Sequence, residues 1–347
     1  MLDCFCRVKE RAGAWADHSR TSACPCTFWR VPPIRIVVPD DFPRALTGTA
    51  AELALRELGD VTIYTERGAD REAELIRRVR DAEVVVNIRA HARFTAAVIE
   101  SAPTLRLISV WGTGTDHVDL AAAQRRGVTV TSTPGVNANA VAEHTMALML
   151  SIMRRIPAMD AAMRAGQWPR GMLSQLEGKT VGVVGLGAIG TRVASLANAF
   201  GVRLLASTLD DDGGRSAAVG ARHVPIETLL RESDVVTLHL RLSEWTRGYI
   251  DGARLALMKP SAFLVNTARA DLVDRTALID ALAGSRIAGA ALDVFHEEPI
   301  PAGDALLALP NVVLTPHDAG MTPEVIERGL RRAVQNVEAF LAAARGS

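Results

Sequence analysis

The run Val181-Gly182-Val183-Val184-Gly185-Leu186-Gly187-Ala188-Ile189-Gly190 constrains this fold more than any other segment. A β-branched strand enters a G-x-G-x-x-G turn that opens a helix ending near Gly201. Gly185 permits the tight turn, Gly187 lets the backbone approach a pyrophosphate, and Gly190 lets the helix pack closely on the strand. The first N–H groups of such a helix lack intrahelical partners and favour an anion. Gly185, Gly187, Ala188, Ile189 and Gly190 are therefore read as a dinucleotide-binding loop, which requires a parallel α/β sheet around it.

The rest of the chain supplies that setting. After Pro32-Pro33, a strand through Ile36, Val37 and Val38 opens an alternation of helix and strand patterns. Helices are predicted at 50–58, 71–80, 95–100 and 119–126, with strands at 61–64, 84–88, 105–111 and 128–131 between them. An apolar helix from about 139 to 155 follows Thr133-Pro134-Gly135, and six further short strands suit a second doubly wound sheet. The chain's 347 residues, at about 150 per domain, predict two domains. The expected division is an N-terminal extension at 1–33, a flavodoxin-like substrate domain at 34–136, a dinucleotide-binding Rossmann domain at 137–320 with a cleft between the two, and a C-terminal helix at 321–347 that returns to the substrate domain.

Composition narrows the partners. Lys+Arg and Asp+Glu both number 39, so no bulk charge draws the chain to nucleic acid or an anionic membrane. A hydrophobic share of 48% excludes a mainly disordered chain. No uninterrupted apolar run approaches the ~20 residues needed to cross a bilayer. The charged first 33 residues offer no secretory core. All four cysteines, Cys4, Cys6, Cys24 and Cys26, lie there; their C-x-C pairs around His18 depart from zinc-finger spacing, so free thiols in a reducing cytoplasm are expected, and no metal. A small-molecule partner remains.

Three later segments place polar groups at strand ends: Asn266-Thr267-Ala268-Arg269, Asp293-Val294-Phe295-His296-Glu297-Glu298-Pro299 and Thr315-Pro316-His317. With the G-L-G-x-I-G loop, Gly112-Thr113-Gly114-Thr115-Asp116-His117-Val118-Asp119, Val141-Ala142-Glu143-His144 and Gly166-Gln167-Trp168, this order resembles the D-2-hydroxyacid dehydrogenase family from Ile34 onward. That family includes phosphoglycerate dehydrogenases and glyoxylate/hydroxypyruvate reductases. The resemblance implies that Arg269, Glu298 and His317 are catalytic. It places Thr267, Ala268 and Asp293 on the cofactor, Asp293 at the nicotinamide carboxamide. It places Thr113, Gly114 and Arg269 on the substrate carboxylate, and Arg89 where some members meet a substrate phosphate. A homodimer is also implied.

The chemistry explains the residue types. Reduction of a 2-oxo acid delivers hydride to carbon and a proton to oxygen. Histidine suits the proton transfer, a carboxylate such as Glu298 stabilises the imidazolium, and the forked, permanently charged Arg269 can hold a carboxylate. The cofactor is expected to be NAD, with NADP open. Asp210 stands 20 residues after Gly190, near the usual position of the ribose-binding acid, yet Thr208 occupies the strand tip. Asp210, Asp211 and Asp212 would repel a 2′-phosphate, whereas Arg241 on a neighbouring strand end would attract one. Ala270-Asp271 after the arginine, Asp318 after the histidine and Arg241 in place of a proline depart from the family pattern. A nicotinamide-sensing binding protein without turnover is the alternative reading.

Overall fold

The computed structural model describes residues 33–88, 91–210 and 213–346, and the chain forms one compact unit from Ile34 onward. The cysteines of the leader, His18, Arg89, Asp211 and Asp212 lie outside the described residues. Among the described residues, twelve strands form two all-parallel sheets. The first comprises β1 (Arg35–Val38), β2 (Asp60–Ile63), β3 (Val84–Asn87), β4 (Leu107–Val110) and β5 (Thr129–Thr131) in the order β2-β1-β3-β4-β5. The second comprises β6 (Thr180–Val184), β7 (Arg203–Ser207), β8 (Arg222–His223), β9 (Val235–Leu238), β10 (Phe263–Asn266), β11 (Gly289–Leu292) and β12 (Val312–Leu314). Its order is β12-β11-β10-β9-β6-β7-β8.

Both sheets follow from strands that are apolar on both sides. Successive side chains point to opposite faces, so an uninterrupted apolar run must feed two cores. In the first sheet Val37 and Val85 enter one cluster, while Ile36, Val38, Val84 and Val86 enter the other. In the second, Val181 and Val183 pack beneath the Ala138–Met153 and Ala188–Asn198 helices, and Val184, Val236 and Leu264 pack on the opposite face. Each sheet is thus covered on both sides.

Strand order then fixes where a ligand can sit. β6 pairs with both β7 and β9, so the connections leaving its carboxyl end and that of β9 diverge and open a crevice between them. The glycine loop occupies that point. The equivalent divergence in the first sheet lies between β1 and β3.

The second sheet has seven strands rather than the expected six. The extra strand, β8, is only Arg222–His223; both residues are exposed and polar, so no apolar run announces it. The helix Ile156–Arg164 is also absent from the sequence expectation, and it buries none of its residues. At the carboxyl terminus, the Pro323–Gly346 helix lays Leu330, Val334, Val337 and Leu341 against Ile36, Val86 and Leu107 of the first sheet. Ser109 Oγ on β4 donates to the Ala333 carbonyl at 3.0 Å, satisfying a buried hydroxyl across that contact.

Leu330 is only 1% exposed, so Leu330→Ala leaves a cavity between this helix and the sheet. The expected loss is about 2–5 kcal/mol of unfolding free energy in a urea titration. A midpoint matching the wild type would show that the helix does not complete this core.

Candidate active site

The carboxyl ends of β10, β11 and β12 carry the polar side chains. At the end of β10, Asn266 brackets the turn that follows: Oδ1 accepts from Ala268 N at 3.0 Å and Nδ2 donates to the Arg269 carbonyl at 2.9 Å. Thr267 is buried, its hydroxyl 2.9 Å from that of Thr145 on the helix beneath. The turn therefore delivers Arg269 in a fixed direction. Its Nε and Nη2 donate to Asp116 Oδ2 and Oδ1 at 3.1 and 3.2 Å, and Nη1 donates to the Ala268 carbonyl at 2.8 Å.

Past β11, Glu298 accepts from Phe295 N through Oε1 at 3.0 Å and pairs through Oε2 with His317 Nδ1 at 2.8 Å. Partial burial pushes the Glu298 carboxyl up, but the hydrogen bond and charge of His317, the Phe295 N–H and the charge of Arg269 together bring it below the ordinary value. Arg269, Glu298 and His317 are thus brought into one electrostatic neighbourhood.

Past β12, His317 adopts φ +56°, a left-handed conformation uncommon for a residue with a β-carbon. Asp293 holds the turn in place. Its fully buried carboxylate accepts from Thr315 Oγ1 at 2.6 Å, Asp318 N at 3.2 Å and Ala319 N at 3.1 Å, on both sides of His317. His144 Nε2 lies 3.0 Å from Thr315 Oγ1 and joins the same network. Asp293 therefore anchors the histidine-bearing loop in this structure.

The glycine loop has the shape that a dinucleotide needs. A β-carbon on Gly190 would overlap the Gly185 carbonyl oxygen, and one on Gly185, at φ +96°, would meet the His239 backbone at 2.9 Å. Gly187 faces open space. The helix that follows, Ala188–Asn198, has no side-chain cap, which leaves its first N–H groups for an anion. At the end of β7, Thr208 Oγ1 donates to the Asp210 carbonyl at 2.6 Å, while Arg215 Nη2 binds Asp210 Oδ2 at 2.7 Å. The acid at the expected count is thus engaged by a neighbouring arginine, and a hydroxyl stands at the strand tip.

On the first sheet, the loop after β4 is pinned to the segment just past β5: Thr133 Oγ1 accepts from Gly112 N at 2.8 Å, and Thr133 N donates to the Gly112 carbonyl at 2.9 Å. Thr113 is half-buried there, and Gly114 lies against the Arg269–Asp116 pair. Beside them, both ring nitrogens of His117 are buried without a partner, and burial holds this imidazole down at about 4. Sequence reasoning singled out neither Asp116 nor Asn266. Asp116 pairs with an arginine 153 residues away, which no local pattern announces, whereas Asn266 sits in a visible strand-end motif.

Comparison with known proteins agrees with this architecture. The family model "D-isomer specific 2-hydroxyacid dehydrogenase, NAD binding domain" matches residues 146–319. Proteins named glyoxylate reductase from Thermofilum pendens and Aeropyrum pernix are 38% and 39% identical, over 83% and 86% of this chain and 87% and 90% of their own. A D-3-phosphoglycerate dehydrogenase from Methanocaldococcus jannaschii is 40% identical, but the chain spans about half (51%) of its length. Among solved structures, D-lactate dehydrogenase from Aquifex aeolicus, complexed with NAD and lactic acid, matches at TM-score 0.79 and 28% identity, covering 89% of this chain and 96% of that one. The chain belongs to the D-isomer-specific 2-hydroxyacid dehydrogenase family, whose second sheet forms a domain for a nicotinamide dinucleotide. No described helix is long and apolar enough to cross a membrane.

The lowered Glu298 pKa gives a signed prediction. Relative to an ordinary value of 4.5, the ionised carboxylate adds stability above that pH, and the gain is lost as pH falls through the lowered value. Glu298→Gln should therefore flatten this part of the acid loss in Tm below about pH 5, with no difference in slope between the two proteins from about pH 7 down to there. Identical profiles for the two proteins would contradict the pairing.

Proposed function

We propose that the chain reduces a small 2-oxo acid to the D-2-hydroxy acid, with glyoxylate as the first substrate to test. The observation that carries this reading is the 2.8 Å His317–Glu298 hydrogen bond within the electrostatic reach of Arg269. Glyoxylate comes first because the relatives of that name align along nearly their whole length, whereas the phosphoglycerate dehydrogenases are about twice as long as the matched region.

A bound reduced nicotinamide dinucleotide would supply the hydride. Gly185, Gly187, Ala188, Ile189 and Gly190 would hold its phosphates, Thr208 the adenosine ribose, and Thr267 and Ala268 the nicotinamide side, with the buried Asp293 shaping the loop that lines that side. NAD is the proposed form, with NADP as the comparison. Glu298 takes His317 Nδ1–H, which leaves Nε2 to give a proton to the carbonyl oxygen during reduction and to remove it in the reverse direction. Arg269, with Thr113 and Gly114, holds the substrate carboxylate, and its charge polarises the neighbouring carbonyl. Arg89 belongs to the same proposal on sequence alone.

We also propose a homodimer in the cytoplasm. The exposed Ile156, Met163, Trp168 and Met172 cluster on and after the helix that buries nothing of its own, which supports a second copy as their cover.

With NADH and glyoxylate the wild type should consume the reduced cofactor, and His317→Ala should lose about 100-fold or more in kcat while NADH affinity, read by fluorescence, holds. Glu298→Gln should displace the pH profile of kcat. Tight NADH binding without turnover on a broad panel of 2-oxo acids would favour a sensor over an enzyme.

A further inference from the structure

Arg269 is the one proposed catalytic group whose partner comes from the other sheet, and the partner is itself a carboxylate. Asp116, in the loop after β4, takes the Nε/Nη2 edge of the guanidinium through both its oxygens. Ala268 O takes a proton of Nη1. These bonds use Nε–H and one N–H on each terminal nitrogen, which leaves one N–H on Nη1 and one on Nη2 for an incoming acid.

The loop is shaped around this pair. A β-carbon on Gly114 would run into both Arg269 Nη2 and Asp116 Oδ1. With no β-carbon at this position the backbone lies against the guanidinium while Asp116 reaches its edge; a side chain there would make the pair shift. Partial burial pushes the Asp116 carboxyl up, but the hydrogen bonds and charge of Arg269 outweigh it and hold the group ionised below its ordinary range. A permanent anion at the edge of the fork stops the guanidinium from rotating and settles which donors remain.

We propose that Asp116 is a positioning residue: it orients the Arg269 fork from across the cleft, so that the remaining N–H groups meet the carboxylate of the 2-oxo acid. This rests on the role given to Arg269 above. In this role Asp116 acts through Arg269, and it ties the loop after β4 of the first sheet to the turn after β10 of the second. An exposed salt bridge of the ordinary kind is worth little. Here the consequence is direction, and misdirection of a binding group costs rate and affinity steeply.

The test uses Asp116→Ala, Asp116→Asn and Arg269→Lys, singly and combined, with glyoxylate and NADH. Asp116→Ala should raise KM for glyoxylate about tenfold or more, with a smaller change in kcat. Asp116→Asn keeps one acceptor for the guanidinium and should recover part of that loss. NADH affinity by fluorescence and Tm should stay near the wild-type values. In the Arg269→Lys background, Asp116→Ala should add little, because the fork it orients is gone. Full activity in Asp116→Ala overturns the proposal, as does an undiminished further loss in the Arg269→Lys background. Full activity in Arg269→Lys alone would instead overturn the role of Arg269 itself. Should Asp116→Ala unfold, Asp116→Ser removes the same bidentate partner while keeping a small polar side chain; unchanged glyoxylate KM there overturns the proposal.

Discussion

The hydrogen bond between His317 and Glu298 decides what the rest of the site can do. An imidazole has two ring nitrogens, and a carboxylate on Nδ1 fixes both the tautomer and the ring plane. The nitrogen left over is the one that the proposed reaction uses for proton exchange with the substrate carbonyl. The bond requires two loops from adjacent strands to meet, and this depends on β11 and β12 being parallel neighbours whose carboxyl ends open on the same side. Sheet topology and acid-base chemistry are in that sense one constraint.

The same constraint explains the cluster of buried polar groups beneath the site. His317 is held in a left-handed conformation that costs free energy, and such strain persists only where the surroundings over-determine it. Asp293 does so by accepting hydrogen bonds from residues before and after the histidine. A fully buried carboxylate would be costly without partners, and here each is a donor of the loop it must hold. Asn266 plays the corresponding part for Arg269 with a neutral amide. His317 and Arg269 thus each stand on a short, satisfied polar scaffold at a strand end.

Much of this was legible in the sequence. The β-branched runs announced buried parallel strands because both faces of each had to be apolar, and the glycine loop announced its turn because Gly185 and Gly190 each answer a separate steric demand. Arg269, Glu298 and His317 stood in strand-end motifs whose residue types suit one reaction. What was hidden depends on distance or on backbone conformation. β8 has two exposed polar residues and shows no pattern. The Asp116–Arg269 pair joins two sheets across 153 residues. The positive φ of His317 cannot be read from its side chain, nor could Asp293 be seen as the anchor of that turn before the loop was placed around it. At the tip of β7, the count to Asp210 fitted a ribose-binding acid, and the structure shows that largely exposed carboxylate paired with Arg215, a partner the count could not reveal. Counting residues finds a position, but it does not show whether the group there is free to act.

The most direct measurement of the central claim is a crystal structure of the protein with NADH and oxamate, an unreactive analogue of a 2-oxo acid. The account requires the oxamate carboxylate on the terminal nitrogens of Arg269 and its carbonyl oxygen within about 3.2 Å of His317 Nε2, with Glu298 still on Nδ1. Oxamate held away from Arg269, or an imidazole turned so that Nε2 faces Glu298, would contradict it.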